Sequence, residues 1–164
     1  MEFSNLAKGR NMSTPITPNT VPTSSPFVSW KGDHAGIRVP DFQAAVAWYT
    51  EKLDFRLKQS CVIGELTFAF LAPIADDHFS VELLAGPGAD KRAPYDDLHA
   101  SYKLSGWHHV CFHVDSVDDA IVELERRGVT IVSEPHDVVP MGRRVGFFAD
   151  PWGNLLEVIQ WINS

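Results

Sequence analysis

Cysteine is scarce in this chain of 164 residues: Cys61 and Cys111 are the only two. They form neither a CxxC pair nor a Cys/His zinc spacing. A disulfide framework and a thiolate zinc site are excluded, and a reducing compartment, the cytoplasm, is expected. Positive charge is also in deficit. Fourteen Lys and Arg face 21 Asp and Glu, a formal net charge of -7. That balance excludes a basic nucleic-acid footprint and disfavours an acidic membrane surface as partner. No apolar run approaches the length of a membrane span. The N-terminus carries Pro15, Pro18, Pro22 and Pro26 among Ser, Thr and Asn and lacks the apolar core of a secretory signal. Residues 1–28 are expected to be a flexible tail. The remainder has an ordinary globular composition, 45% hydrophobic and 21% charged, with length enough for a sizeable core.

What is present is a repeat. Asp41 can cap a helix whose apolar residues Phe42, Ala45, Val46, Tyr49 and Leu53 share one face. Ser116, with Asp119 three residues on, can cap a second helix with the face Val117, Ala120, Ile121 and Leu124, closed by Arg126, Arg127 and Gly128. Four positions of these faces match at an offset of 75 residues (117 − 42, 120 − 45, 121 − 46, 124 − 49). Short β-prone stretches flank each helix in the same order: 34–39 and 109–114 before it, then 65–73 and 143–151, then 79–86 and 154–160. The expectation is an α+β fold of two paired βαβββ modules, 29–86 and 108–164, joined by a turn-rich linker, 87–107.

The repeat carries a constellation. His34 and His109 each open the first strand of a module, and Glu82 and Glu157 each lie in its last strand. The His-to-Glu spacing is 48 in both (82 − 34, 157 − 109). A pseudo-two-fold axis would bring two imidazoles and two carboxylates together. That mixed nitrogen and oxygen set suits a divalent metal with open positions for water or substrate. Taken singly, a His or Glu in a strand is ordinarily on a solvated face. Glu82 and Glu157, however, sit inside apolar runs, where a lone carboxylate is costly to bury. Strand alternation puts Gly36 and Arg38 on the face of His34, and Cys111 and His113 on that of His109. Arg38 and His113 are candidates to hold a polar or anionic part of a substrate, against a rim salt bridge and a packed core histidine as the plainer alternatives. Cys111 faces the site without a neighbouring base. Tyr95 and Tyr102 of the linker are placed to close over it. His108 alternates away and is expected to pack under a helix. His78, His99 and His136 fall in expected loops.

The stretches HAGIRVPDFQAAVAWYTEKLDF, SVELLAG, HHVCFHVDSVDDAIVELERRGV and GFFADPWGNLLEVIQ together resemble the vicinal oxygen chelate superfamily over about residues 32–161. That superfamily groups glyoxalase I, methylmalonyl-CoA epimerase, fosfomycin-resistance proteins, bleomycin-binding proteins and extradiol dioxygenases. DPWGNLLE is similar to its closing signature. Asp54 stands where the family often has Gly, and DPWGN replaces DPDGY.

The resemblance implies an open, U-shaped mixed sheet with helices on its outer face, and one metal ion (Ni, Co, Zn, Mn or Fe) per site on His34, Glu82, His109 and Glu157. It implies a lyase or isomerase of glyoxalase I type, which chelates vicinal oxygens of a small carbonyl substrate and stabilises an enediolate. Glu157 is then the proton-moving base, Glu82 its pseudo-symmetric partner, and Arg38, His113, Cys111 and Tyr102 line the substrate. It also implies a homodimer. The rival readings are an Fe(II) extradiol-type dioxygenase using His34, His109 and Glu157, a drug-binding resistance protein without turnover, and a fosfomycin-type transferase.

Overall fold

A computed structural model describes residues 24–103 and 105–162. The expected tail therefore lies outside the described residues as far as Thr23. Residues 24–31 belong to a unit separate from the chain that begins at Gly32. Within it the backbone turns, with Val28 N donating to Ser25 O and Trp30 N to Phe27 O, and the Phe27 and Trp30 rings meet edge to face.

From Gly32 onward the chain builds the paired modules. The first is β1 (His34–Val39), α1 (Phe42–Leu53), β2 (Arg56–Ile63), β3 (Leu66–Ala72) and β4 (Ser80–Ala85). The second is β5 (His109–His113), α3 (Val117–Arg126), β6 (Thr130–Val138), β7 (Arg143–Ala149) and β8 (Leu155–Trp161), with a short helix α2 (Leu98–Ser101) in the linker. Each module folds into a four-stranded mixed sheet in the same order, β1-β4-β3-β2 and β5-β8-β7-β6. In both, the first strand pairs parallel with the last, because the helix supplies the crossover a parallel pair requires. Hydrogen bonding thus divides the strands into two sheets.

The helices begin where the sequence places them. Asp41 accepts from Ala44 N at 2.7 Å, and Ser116 from Asp119 N at 3.2 Å. α1 ends on Asp54 in the left-handed region (φ 54). That non-glycine conformation coincides with an ion pair to Arg127 of the other module at 2.8 Å. One apolar core runs through both modules and joins Val39, Tyr49, Leu71 and Leu83 to Val117, Ile121, Phe148 and Leu156. Burying such side chains against one another is the main favourable term holding the pair together.

Two strands went unmarked in the sequence. β2 is an edge strand, exposed over nearly its whole length, so it shows no apolar alternation. β6 contains Pro135, and its pairing with β7 slips between Ser133 and His136. Proline is tolerated there because β6 is also an edge. His136 lies in this strand rather than in a loop. No helix among the described residues is long and apolar enough to cross a membrane.

Candidate metal centre

The burial pattern of β1 separates its faces. Ala35, Ile37 and Val39 are buried, whereas His34 and Gly36 are exposed and Arg38 is half-buried. Glu82 stands on β4 beside Gly36, and Glu157 on β8 beside Cys111, at equivalent register positions. Each histidine reaches the carboxylate of its own module. His34 Nε2 lies 3.3 Å from Glu82 Oε2, and His109 Nε2 lies 3.0 Å from Glu157 Oε2. Both carboxylates are largely covered, with side-chain exposures of 16% and 13%. A phenylalanine ring meets each imidazole edge to face: Phe70 against His34 at 5.4 Å and Phe147 against His109 at 5.5 Å.

The two pairs are equivalent in register but separate. Among the described residues no three or more His, Cys, Asp or Glu side chains gather at metal-ligating distance. The donors nonetheless fit a divalent ion in chemistry, since each pair offers one imidazole nitrogen and one carboxylate, with no lysine or arginine ion pair to that carboxylate among the described residues. β1 and β5 belong to different sheets, so no ladder hydrogen bond sets the span between the pairs.

Glu157 is the more elaborately held carboxylate. Burial pushes its carboxyl upward. Hydrogen bonds from His109 and Cys111, with the charges of His109 and Arg143, outweigh this and leave it below the ordinary glutamate value. Cys111 moves the other way. Burial, then its hydrogen bond to Glu157 and that residue's charge, push the thiol up to about 12. It is therefore a thiol at neutral pH, not a nucleophile.

The substrate-lining candidates have different surroundings. Arg38 does not present a free guanidinium: Nη1 donates to Val39 O and Leu84 O, and Nη2 to Pro87 O, clamping the ends of β1 and β4. His113, the last residue of β5, borders a cavity of about 470 Å³ walled by Lys52, Phe55, Leu124 and Arg127, on the helix side of the sheets. Tyr102 is exposed and stacks on His108 with ring centroids 5.2 Å apart. His108 itself precedes β5 and packs against the linker instead of under α1 or α3. Its Nε2 lies 2.7 Å from Ser101 Oγ, and its Nδ1 lies 2.7 Å from His109 Nδ1.

Three features escaped the sequence reading. Arg143, at the start of β7, exerts its charge on both Glu157 and Cys111 and lies over the Trp161 ring at 4.1 Å. Its buried Nε has no hydrogen-bond partner among the described residues. The linker is built into the fold: Tyr95 and Leu98 pack on Val145, Phe147 and Leu155, and a cavity of about 540 Å³ opens between the linker residues Arg92, Tyr95, Ser101 and Trp107 and His108. Asp150 explains the closing DPWGN stretch. Its Oδ1 accepts from Trp152 N and Asn154 N, and its Oδ2 accepts from Asn154 Nδ2 and from Tyr49 OH of the other module at 3.1 Å. Gly153 has φ 82, and an added Cβ would come 2.8 Å from Arg92, so glycine alone suits that turn.

A family model, the Glyoxalase/Bleomycin resistance protein/Dioxygenase superfamily, matches residues 31–158. The chain belongs to that superfamily. Among curated relatives it is 28% identical to mitochondrial methylmalonyl-CoA epimerase of Mus musculus, over 94% of this chain and 86% of that protein. It is 26% identical to lactoylglutathione lyase of Schizosaccharomyces pombe, over 80% of this chain and 47% of that protein. The crystal structure of a glyoxalase family protein from Enterococcus faecalis superposes with a TM-score of 0.65 at 22% identity, covering 82% of this chain and 99% of the other. That likeness is one of fold.

Proposed function

We propose that this protein is a metal-dependent lyase or isomerase that moves a proton beside a carbonyl group of a small substrate. The observation that carries the reading is the pair of equivalent His–Glu contacts, His34–Glu82 and His109–Glu157, on matching strands of two modules. The names of the epimerase and lyase relatives support the reaction type. The four residues would together hold one divalent ion, which when bound supplies Lewis-acid polarisation of a carbonyl oxygen.

The chain's own groups do the rest. The Glu157 carboxylate, ionised at neutral pH and carried on an interior strand, accepts the proton from the carbon next to the carbonyl and returns it. Glu82 occupies the equivalent place on the other side. Arg143, with an unpartnered buried Nε, takes an anionic group of the substrate, a role Arg38 leaves open because its donors already serve carbonyls. The linker cavity of about 540 Å³ is of a size for a small molecule.

The test begins with metal content and Co(II) reconstitution, followed by deuterium exchange in D₂O with methylmalonyl-CoA and with lactoylglutathione. Expected are about one metal per site, exchange at the carbon beside the carbonyl of at least one probe, and a fall of more than about 100-fold in Glu157→Gln. A protein that takes up no metal on reconstitution would overturn the reading.

A further inference from the structure

The linker carries an aromatic and a cationic group that neither His–Glu pair uses. Trp107 is 83% exposed, the most exposed large apolar side chain among the described residues. Its neighbour His108 stacks on Tyr102 and meets His109 edge to face, whereas Trp107 meets no other ring among the described residues. An indole face is apolar and electron-rich, so a second flat ring gains by covering it.

Arg92 lines the same linker cavity of about 540 Å³. Its backbone is fixed: its N–H donates to Trp152 O at 3.1 Å, and its Cβ lies so close to Gly153 that a Cβ there would come within 2.8 Å. The other described arginines are engaged. Arg38 is spent on carbonyls, Arg56, Arg126, Arg127 and Arg144 on carboxylates, and Arg143 lies over Trp161. Arg92 forms no ion pair among the described residues, not even with Asp96, which also lines the cavity. A guanidinium in that position offers paired donors to a carboxylate or a phosphate.

The cavity is joined to the His–Glu pairs. Tyr95, another of its walls, packs with Val145 and Phe147, and the Phe147 ring meets His109 edge to face. A second cavity, of about 50 Å³, shares Arg92, Trp107 and His108 with the first and is bordered by Gly36 and His109. Together the two run from the linker to β1 and β5, the strands that carry His34 and His109.

We propose that the linker cavity is a binding site for a small aromatic anion, whose ring stacks on Trp107 and whose carboxylate or phosphate pairs with Arg92. The binding stands on these residues alone. That the bound molecule is the substrate rests on the metal-dependent reading under the proposed function, which it narrows to carbonyl compounds bearing a ring and an anionic group.

The test is calorimetry on the metal-free full chain. Phenylacetate and phenyl phosphate are compared with acetate and inorganic phosphate, which lack the ring, and with 2-phenylethanol, which lacks the anion. At least one aromatic anion should bind about 10-fold or more tighter than its ringless counterpart and than 2-phenylethanol, and the tighter of the two names the anionic group. Trp107→Ala should bring that probe within about 3-fold of its ringless counterpart, and Trp107→Phe, which keeps a ring, should hold it within about 3-fold of the unaltered protein. Arg92→Gln should weaken it by about 10-fold or more and leave 2-phenylethanol unchanged. Both residues are exposed, and quenching of tryptophan emission by the probe in the unaltered protein gives a readout that needs no variant. Equal binding with and without the ring, or a preference that survives both Trp107→Ala and Arg92→Gln, overturns the proposal. Zn(II) uptake is measured in parallel. A chain that holds the aromatic anion and no Zn(II) keeps this site and loses the catalytic reading, and one that takes up Zn(II) and no aromatic anion does the reverse.

Discussion

The two His–Glu pairs are the same device mounted differently. Both set a histidine against a carboxylate with a phenylalanine ring at its side. In the first, His34 leans on Asp33, whose side chain is 86% exposed, and Gly36 lies under the Glu82 carboxylate. In the second, His109 leans on His108, which leads into the linker helix, and Cys111 stands where the first module has Gly36. A lone exposed carboxylate is screened by water and contributes little rigidity, whereas a chain of partly covered groups holds a ring in one orientation. The two modules thus share the His–Glu pairs and differ in what supports them.

The comparison can be broken most severely at Asp150, which anchors the second module's turn to Tyr49 of the first. Asp150→Ala leaves one buried and three half-buried donors without an acceptor and should cost about 3 kcal/mol, roughly 10 °C in Tm by calorimetry. Next come the histidines. If the two pairs serve one metal, His34→Ala and His109→Ala should each weaken Zn(II) binding by more than about 100-fold. A loss confined to one of them would make the site single-sided. Affinity that falls on dilution together with dimer dissociation would place the two pairs on different chains.

Smaller effects sharpen the difference in support. Asp33→Ala should weaken binding by less than about 10-fold, because water can replace an exposed partner. In Gly36→Ala the new methyl would lie 3.4 Å from Glu82 Oε2 and 3.2 Å from Leu84 Cδ1, and a drop of about 3-fold in affinity is expected. The smallest signal is chemical. With its thiol pushed up to about 12, Cys111 holds a thiolate fraction of about 10⁻⁴ at pH 8, and this grows about tenfold per pH unit. Iodoacetamide should therefore modify Cys61 well before Cys111, and Glu157→Gln, which removes a neighbouring negative charge, should speed the reaction at Cys111. Equal rates at both cysteines would contradict the contact of Cys111 with Glu157.

The repeat was legible because the helix faces and the His–Glu pairs kept one offset through both modules, and a period survives in a linear string. Phe70 and Phe147 were not, although they pair with Glu82 and Glu157. They are 77 apart (147 − 70), since the chain between β3 and β4 is two residues longer than that between β7 and β8, so the common offset passes over them. Arg143 escaped for a related reason, as the residue 75 before it is Phe68, and no repeat marks it.

Local chemistry, then, was enough to specify the modules, their caps and the faces of their strands, because those depend on neighbours within a few residues. Tertiary structure alone decided which groups surround the His–Glu pairs. Whether Arg38 is free or clamped, whether His108 is buried under a helix or bonded to His109, and whether the linker is a tether or a wall all depend on residues far away in sequence. Side-chain hydrogen bonds form to whatever backbone or side chain the fold delivers within about 3 Å, and no spacing rule encodes that meeting.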